Sequence, residues 1–316
     1  MYIVLLIAGL VLILVGADCL TDGATDVAKR LRMSEFVIGL TVMAIGTSMP
    51  ELAVSLLSSL DGHAEMAVGN VVGSNIFNIF MVVGLCALIR PIALTRNNIR
   101  TDIPVCVAVS LLFLACGFCG SISRPTGAAM VVLYGLLLWY TVRTSRPEHD
   151  AAAATPRSPG DAKRRPGWVA AVMIVGGLCA LIGGGEMFVH GATELARRMG
   201  VPESVIAITL VAGGTSLPEL ASSVVSLLKG RSGMALGNAI GSNTANILLV
   251  LGASAAARPL GFGSITIIDL CVVLASAVLL FTSAFTFRRR AIDRWEGGIF
   301  VIIYTAYIVW LIKTNS

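Results

Sequence analysis

Charge is scarce in this chain. Asp, Glu, Lys and Arg together make up 13% of its 316 residues, against about 25% in a soluble globular protein. Hydrophobic residues make up 56%, and the mean hydropathy is +0.87. The longest stretch outside the apolar segments is residues 143–167, too short for a soluble domain. The basic residues behind the net charge of +5 are spread through short loops, which gives no nucleic-acid surface. Histidine occurs three times and never inside the repeated motifs described below. The seven cysteines form an odd set with no disulfide framework, and "CGFC" at 116–119 reads as small packing residues in an apolar segment. No basic residue precedes Lys29, so the apolar N-terminus reads as a retained first span and not as a signal peptide. G-x-S-x-G, H-E-x-x-H and Gly-x-Gly-Asp patterns are missing, which argues against an intramembrane enzyme with Ser48 or Ser216 as nucleophile. No catalytic residue and no cofactor is expected.

Apolar runs, by contrast, are plentiful. Ten segments are long enough to span a bilayer: roughly 2–20, 35–60, 65–89, 101–120, 126–142, 168–190, 203–228, 233–257, 264–287 and 295–312. Residues 143–167, rich in Pro, Ala and charge, read as a linker. The chain also repeats itself. A shift of 168 residues brings "GTSMPEL" (46–52) onto "GTSLPEL" (214–220), and "MAVGNVVGSNIFN" (66–78) onto "MALGNAIGSNTAN" (234–246). The expected fold is an all-α integral membrane protein of ten transmembrane helices. Its units are a first five-helix repeat (1–142), a linker (143–167) and a second repeat (168–316). An odd number of spans per repeat inverts the second copy relative to the first. With the N-terminus outside, the inward loops hold 18 of the 23 lysines and arginines. That bias places both termini outside and the linker in the cytoplasm.

The repeated motifs carry the chemistry. Pro50 lacks an N–H and breaks the second span near Gly46–Met49, then suits the first turn of the half-helix that follows. Glu51 falls in that turn, where the helix dipole is positive. Carbonyls freed by the break must line a cavity or an ion, because lipid cannot satisfy them. Pro218 and Glu219 repeat the arrangement. Thr47 is four residues from Glu51; Ser74 and Asn78, and Ser242 and Asn246, are also spaced by four. The Gly-x-x-x-Gly pairs Gly69/Gly73 and Gly237/Gly241 allow close helix contact. Gathered at one axis, these segments offer two carboxylates, hydroxyls, amides and carbonyls, all oxygen donors. Such a site suits a hard cation, Ca2+ or Na+. Two glutamates in a dry centre are costly without a cation, so an empty carrier resists crossing, which is the logic of an exchanger.

These blocks resemble the alpha repeats of the calcium/cation antiporter superfamily, in its prokaryotic sodium/calcium exchanger branch. The resemblance covers nearly the whole chain. It implies that Glu51 and Glu219 are central Ca2+ ligands shared with Na+, and that Thr47 and Thr215 complete the calcium shell. It implies flanking Na+ sites formed by the backbone oxygens of Ala44 and Ala212 with Ser74 and Ser242. Ser48 and Ser216 would contribute nearby, and Asn78 and Asn246 would close the centre. It further implies exchange of three Na+ for one Ca2+, hence electrogenic transport, with the first and sixth spans sliding past the rest. The K+-dependent branch carries aspartate where this chain has Asn246, which implies K+-independent transport. The implied partners are Ca2+ and Na+ as substrates and the lipid bilayer, with no protein partner. The compact chain suits a bacterial inner membrane.

H+/Ca2+ antiport and other divalent substrates stay open, since glutamates can carry protons; buried paired carboxylates favour alternating access over a channel. Asp18 and Glu186, matched by the repeat, suit a gating, ion-path or structural role. Asp22 and His190 are matched but chemically different, and His190 reads as packed or interfacial. Asp102 and Asp269 read as structural acids near helix starts. "FRRRAIDR" at 287–294 reads as a topology anchor, with anionic lipid binding the weaker option.

Overall fold

The computed structural model describes residues 2–144, 166–200, 212–286 and 290–314. Nearly all of the described chain is helical, as a bilayer demands of a backbone with no other hydrogen-bond partners. The helices are α1 (Tyr2–Leu31), α2 (Glu35–Thr47), α3 (Met49–Asp61), α4 (Ala64–Ile89), α5 (Asn98–Phe118) and α6 (Arg124–Thr144). They continue with α7 (Gly167–Arg198), α8 (Ala212–Gly214), α9 (Leu217–Leu228), α10 (Ser232–Ala257), α11 (Ile267–Ser283) and α12 (Arg294–Thr314). Seven of them are long and apolar enough to cross a membrane, and the bent pair α2–α3 makes an eighth. Helices α9 and α11, at 12 and 17 residues, are shorter than a full span. The expected start of the seventh span, 203–211, and linker residues 145–165 lie outside the described residues.

Helices α4 and α10 form the centre. The most apolar stretches of these two are 72% and 83% buried, against 28% and 22% for α1 and α7. Both central helices end where a proline follows: Arg90 and Arg258 precede Pro91 and Pro259 and are extended, with φ near −150°. Past these ends the chain forms short antiparallel pairs that an all-α expectation does not contain. Strand β1 (Ile92–Ala93) pairs with β4 (Ala291–Ile292), and β2 (Ser121–Ile122) with β3 (Leu260–Gly261). Each pair joins the two halves of the chain.

Helices α1 and α7 are longer than the spans expected at 2–20 and 168–190. Hydropathy marks only the apolar portion; the polar run from Thr21 to Leu31 continues the helix to a left-handed Arg32 with φ 54°. The two helices pack antiparallel along their length through small residues spaced by seven, Gly9, Gly16 and Gly23 against Gly184, Gly177 and Ala170. A Cβ on Gly16 would meet Gly177 O at 2.7 Å, and one on Gly177 would meet Leu20 N at 2.7 Å. The Gly237/Gly241 pair likewise lets α10 press on α2, since a Cβ on Gly237 would strike Phe36 O and one on Gly241 would meet Leu40 O at 2.5 Å. The matching contact of Gly69 and Gly73 would involve 204–208, outside the described residues.

Gly177→Val should therefore force α1 and α7 apart at a cost of about 1–3 kcal/mol. Its neighbour Gly176 has nothing within 4 Å of a built Cβ. Thermal unfolding in detergent is expected to show a lowered Tm for Gly177→Val and little change for Gly176→Val.

Candidate ion-binding site

The two prolines act where the sequence places them. Pro50 and Pro218 sit in the first turns of α3 and α9. Ser48 and Ser216, just before, leave helical geometry at φ −85°, ψ 8° and φ −92°, ψ 6°. The axes of α2 and α3 differ by 44° across this break. Glu51 and Glu219 thereby enter at helix N-termini, whose free N–H groups favour negative charge. Both glutamates are 0% exposed.

Each carboxylate is held by both halves of the chain. Ser48 Oγ donates to Glu219 Oε1 at 3.0 Å, and Ser216 Oγ donates to Glu51 Oε1 at 3.0 Å. Ser74 Oγ adds a bond to Glu51 Oε1 at 3.2 Å, and Ser242 Oγ one to Glu219 Oε1 at 3.4 Å. The second carboxylate oxygen, Oε2, of each glutamate has no partner, although it is buried. Asn78 and Asn246 are fully buried, and neither end of either side-chain amide has a partner. Both asparagines open short π-helical turns, Asn78–Val83 and Asn246–Leu251, a local widening frequent at functional sites. Buried polar atoms without partners are rare and costly. Here they come as matched pairs, one from each half.

Thr47 and Thr215 reach the centre through asparagines that sequence reasoning passed over. Asn238 accepts from Thr47 Oγ1 at 3.3 Å and donates to Glu219 O at 3.3 Å and to Ser222 and Ser223 Oγ, each at 3.0 Å. Asn70 mirrors it, accepting from Thr215 Oγ1 at 3.3 Å and donating to Glu51 O at 3.3 Å and Ser55 Oγ at 3.0 Å. Each asparagine ties a half-helix of its own repeat to the broken segment of the other. The signal was present, since both lie inside the repeated Gly-Asn blocks. The threonine oxygens spend their hydrogens on these amides and keep lone pairs. Ala44 is buried, and its carbonyl already accepts Ser48 N–H at 3.1 Å. Ala212 opens α8, and its side chain lies outside the described residues.

No lysine, arginine or histidine bonds to either glutamate among the described residues. Nor do three or more His, Cys, Asp or Glu side chains gather there as a metal cluster. Positive charge to balance two ionised carboxylates must come from a bound cation or from protons. The donor set is oxygen throughout, which suits hard cations.

The other polar candidates lie apart from this centre. Asp18 and Asp22 pair with Lys229 Nζ at 2.7 and 2.6 Å, joining α1 to the end of α9 beside a Thr21–Ser226 hydroxyl contact of 3.1 Å. Glu186 and His190 are exposed. Asp269 completes a capping box with Thr266 and accepts from Tyr307 Oη at 3.2 Å. Asp102 accepts from Asn97 and Asn98.

Asn238→Ala removes a buried brace and strands the groups it satisfied, a loss of about 1–3 kcal/mol. A lower Tm is expected for this variant in cation-free detergent solution, and also for Asn238→Asp, which keeps the acceptor for Thr47 but loses every donated bond and adds an unbalanced buried acid.

A family model described as sodium/calcium exchanger protein matches residues 1–143 and 169–313. The sodium/calcium exchanger MaX1 of Methanosarcina acetivorans is 31% identical, with 97% of each chain covered. Inner membrane protein YrbG of Escherichia coli K12 is 33% identical, covering 97% of this chain and 94% of its own. The sodium-calcium exchanger NCX_Mj, in a structure soaked with Na+ and Sr2+, matches with a TM-score of 0.84 at 32% identity, covering 98% of this chain and 97% of that one. A match of this extent carries function at the level of cation antiport, with no enzymatic activity: the chain is an integral membrane protein that belongs to the sodium/calcium exchanger family of calcium/cation antiporters.

Proposed function

We propose that the protein exchanges Na+ for Ca2+ across the membrane by alternating access, electrogenically and without K+. The observation that carries this reading is the reciprocal pair Ser48–Glu219 and Ser216–Glu51, each glutamate keeping one buried oxygen unpartnered. Glu51 and Glu219 then bind Ca2+ in one phase and Na+ in the other. Thr47 and Thr215 complete the calcium shell, while Ser74 and Ser242 with the carbonyls of Ala44 and Ala212 hold flanking Na+. Ser48 and Ser216 stabilise the carboxylates, and Asn78 and Asn246 close the centre with neutral amides. With only two carboxylates there, a K+ ion has no further charge to balance.

The reading includes ten spans in two inverted repeats, residues 1–142 and 168–316, joined by a cytoplasmic linker, with both termini outside. Support comes from which loops meet. Strand β1 pairs with β4 and β2 with β3, always between loops this topology puts on one side. Arg231 pairs with Glu35 at 3.1 Å, and Arg258 donates to Leu60 O at 3.0 Å, again on matching sides.

Radioactive Ca2+ uptake into proteoliposomes tests the coupling. An outward Na+ gradient is expected to drive uptake, and a pH gradient alone is not; uptake driven only by pH would make the protein an H+/Ca2+ antiporter. Glu51→Gln should lower Na+-driven flux by about 100-fold or more, because a central charge is lost. Replacing K+ with choline should leave wild-type flux unchanged. A strict K+ requirement would overturn the assignment of Asn246.

A further inference from the structure

We infer that the bundle end built from β1 and β4 is a docking surface for an anionic phospholipid. In the antiparallel register Ile92 faces Ile292 and Ala93 faces Ala291. Arg90 lies just before β1 and Arg294 just after β4, and the Arg294 guanidinium donates to Ile89 O, beside Arg90, at 3.4 Å. Arg96 and Arg100 follow on the β1 side, and Arg290 precedes β4, its carbonyl accepting Leu94 N–H at 2.8 Å. Arg290 has φ 63°, a conformation in which glycine is less strained than arginine. All five arginines are exposed, and none forms an ion pair among the described residues.

The neighbouring carboxylates are engaged elsewhere. Asp293 accepts the N–H groups of Trp295 and Glu296, and Glu296 bonds to Thr286 and to Asp293 N–H. Asp102 holds the amides of Asn97 and Asn98. Among the described residues no carboxylate is left to balance the five arginines, and an external anion fits them.

Its chemistry follows from what lies beside the arginines. Helices α4 and α12 press together here, where a Cβ on Gly297 would meet Gly84 O at 2.6 Å. Their outer face leaves Ile89 43%, Trp295 75%, Ile299 45% and Ile302 67% exposed. A tryptophan between a basic cluster and an apolar face is placed as at a membrane interface. Phosphate on the arginines with acyl chains along this face satisfies both surfaces, whereas a soluble phosphate satisfies one. The opposite strand pair, β2–β3, is flanked by two arginines, Arg124 and Arg258, against the five here.

The test is native mass spectrometry and lipid titration of the full chain in nanodiscs of phosphatidylcholine with increasing phosphatidylglycerol. Wild type should prefer phosphatidylglycerol. Arg90→Gln with Arg294→Gln should weaken that preference roughly 30-fold, at about fivefold per basic residue. Arg90→Lys with Arg294→Lys should keep most of it, which guards against misfolding. Arg124→Gln with Arg258→Gln should leave it unchanged. Full preference in the Arg90/Arg294 glutamine pair, or equal loss in the Arg124/Arg258 pair, would overturn the proposal. So would competition by soluble glycerol phosphate as effective as the lipid. Lipid binding is read without transport, so the outcome is independent of the coupling ion.

Discussion

A carboxylate held among helices, out of reach of water, needs its oxygens satisfied and its charge balanced. In this protein the first need is met for one oxygen of each carboxylate, and it is met across the halves. Ser216 serves Glu51 and Ser48 serves Glu219, so neither glutamate is complete without the other repeat. The breaks before Pro50 and Pro218 exist to bring each serine to the opposite carboxylate. Asn70 and Asn238 fasten the same junction from the backbone side. The second need, charge, is met by no basic side chain among the described residues, and it falls to a bound cation or to protons.

The rest of the bundle divides by how closely it is tied to that junction. Helices α4 and α10 supply Ser74, Asn78, Ser242 and Asn246 and are mostly buried. Helices α1 and α7 supply nothing to the centre and lie largely on the lipid-facing side. They are joined to each other through a glycine seam, where backbones touch, and to the core by apolar packing and some polar contacts. Those contacts are unequal. Lys229 of the second half binds Asp18 and Asp22 of α1. The matched position in the first half is Asp61, and the matched residues on α7 are Glu186 and His190. Acid has replaced lysine, so the same ion pair cannot form on that side. The repeat is symmetric where ions bind and asymmetric where the outer helix pair meets the core.

Much of this was legible in the residues. Proline followed by glutamate in an apolar run marks a break and a buried charge, and its second copy marks a partner. The bonding of Ser48 and Ser216 to the opposite glutamates was not legible, because spacing along one chain cannot show which half a side chain serves. Nor were the roles of Asn70 and Asn238, whose amides act on residues 145 and 191 positions away. The polar end of α1 was missed because hydropathy reports apolarity and not helix continuation. The π-turns at Asn78 and Asn246 and the four short strands leave no periodic signal, and the strands depend on pairing between distant loops. The glycines of α1 and α7 could have been found, since their spacing by seven is visible once antiparallel packing is considered.

The glycine seam also bears on the proposed exchange. Alternating access needs a part that moves and a part that keeps its ligands in register. Side chains that interdigitate resist sliding, because each step opens voids and creates overlaps. Between α1 and α7 the contact is backbone on backbone with the glycines as recesses, which locks the two helices as one body. Against the core, the same helices present an apolar surface, Ile13, Ala17, Leu20 and Leu181 on Ile38, Met43 and Met234, together with the Thr21–Ser226 hydroxyl contact and two aspartates held by the flexible stem of Lys229. The close backbone joint is thus inside the pair, while the joint between the pair and the core is made by side chains. In the proposed exchange, the pair shifting as one body over the core would change which side opens while leaving the Ser48–Glu219 and Ser216–Glu51 bonds, which lie wholly within the core, in place.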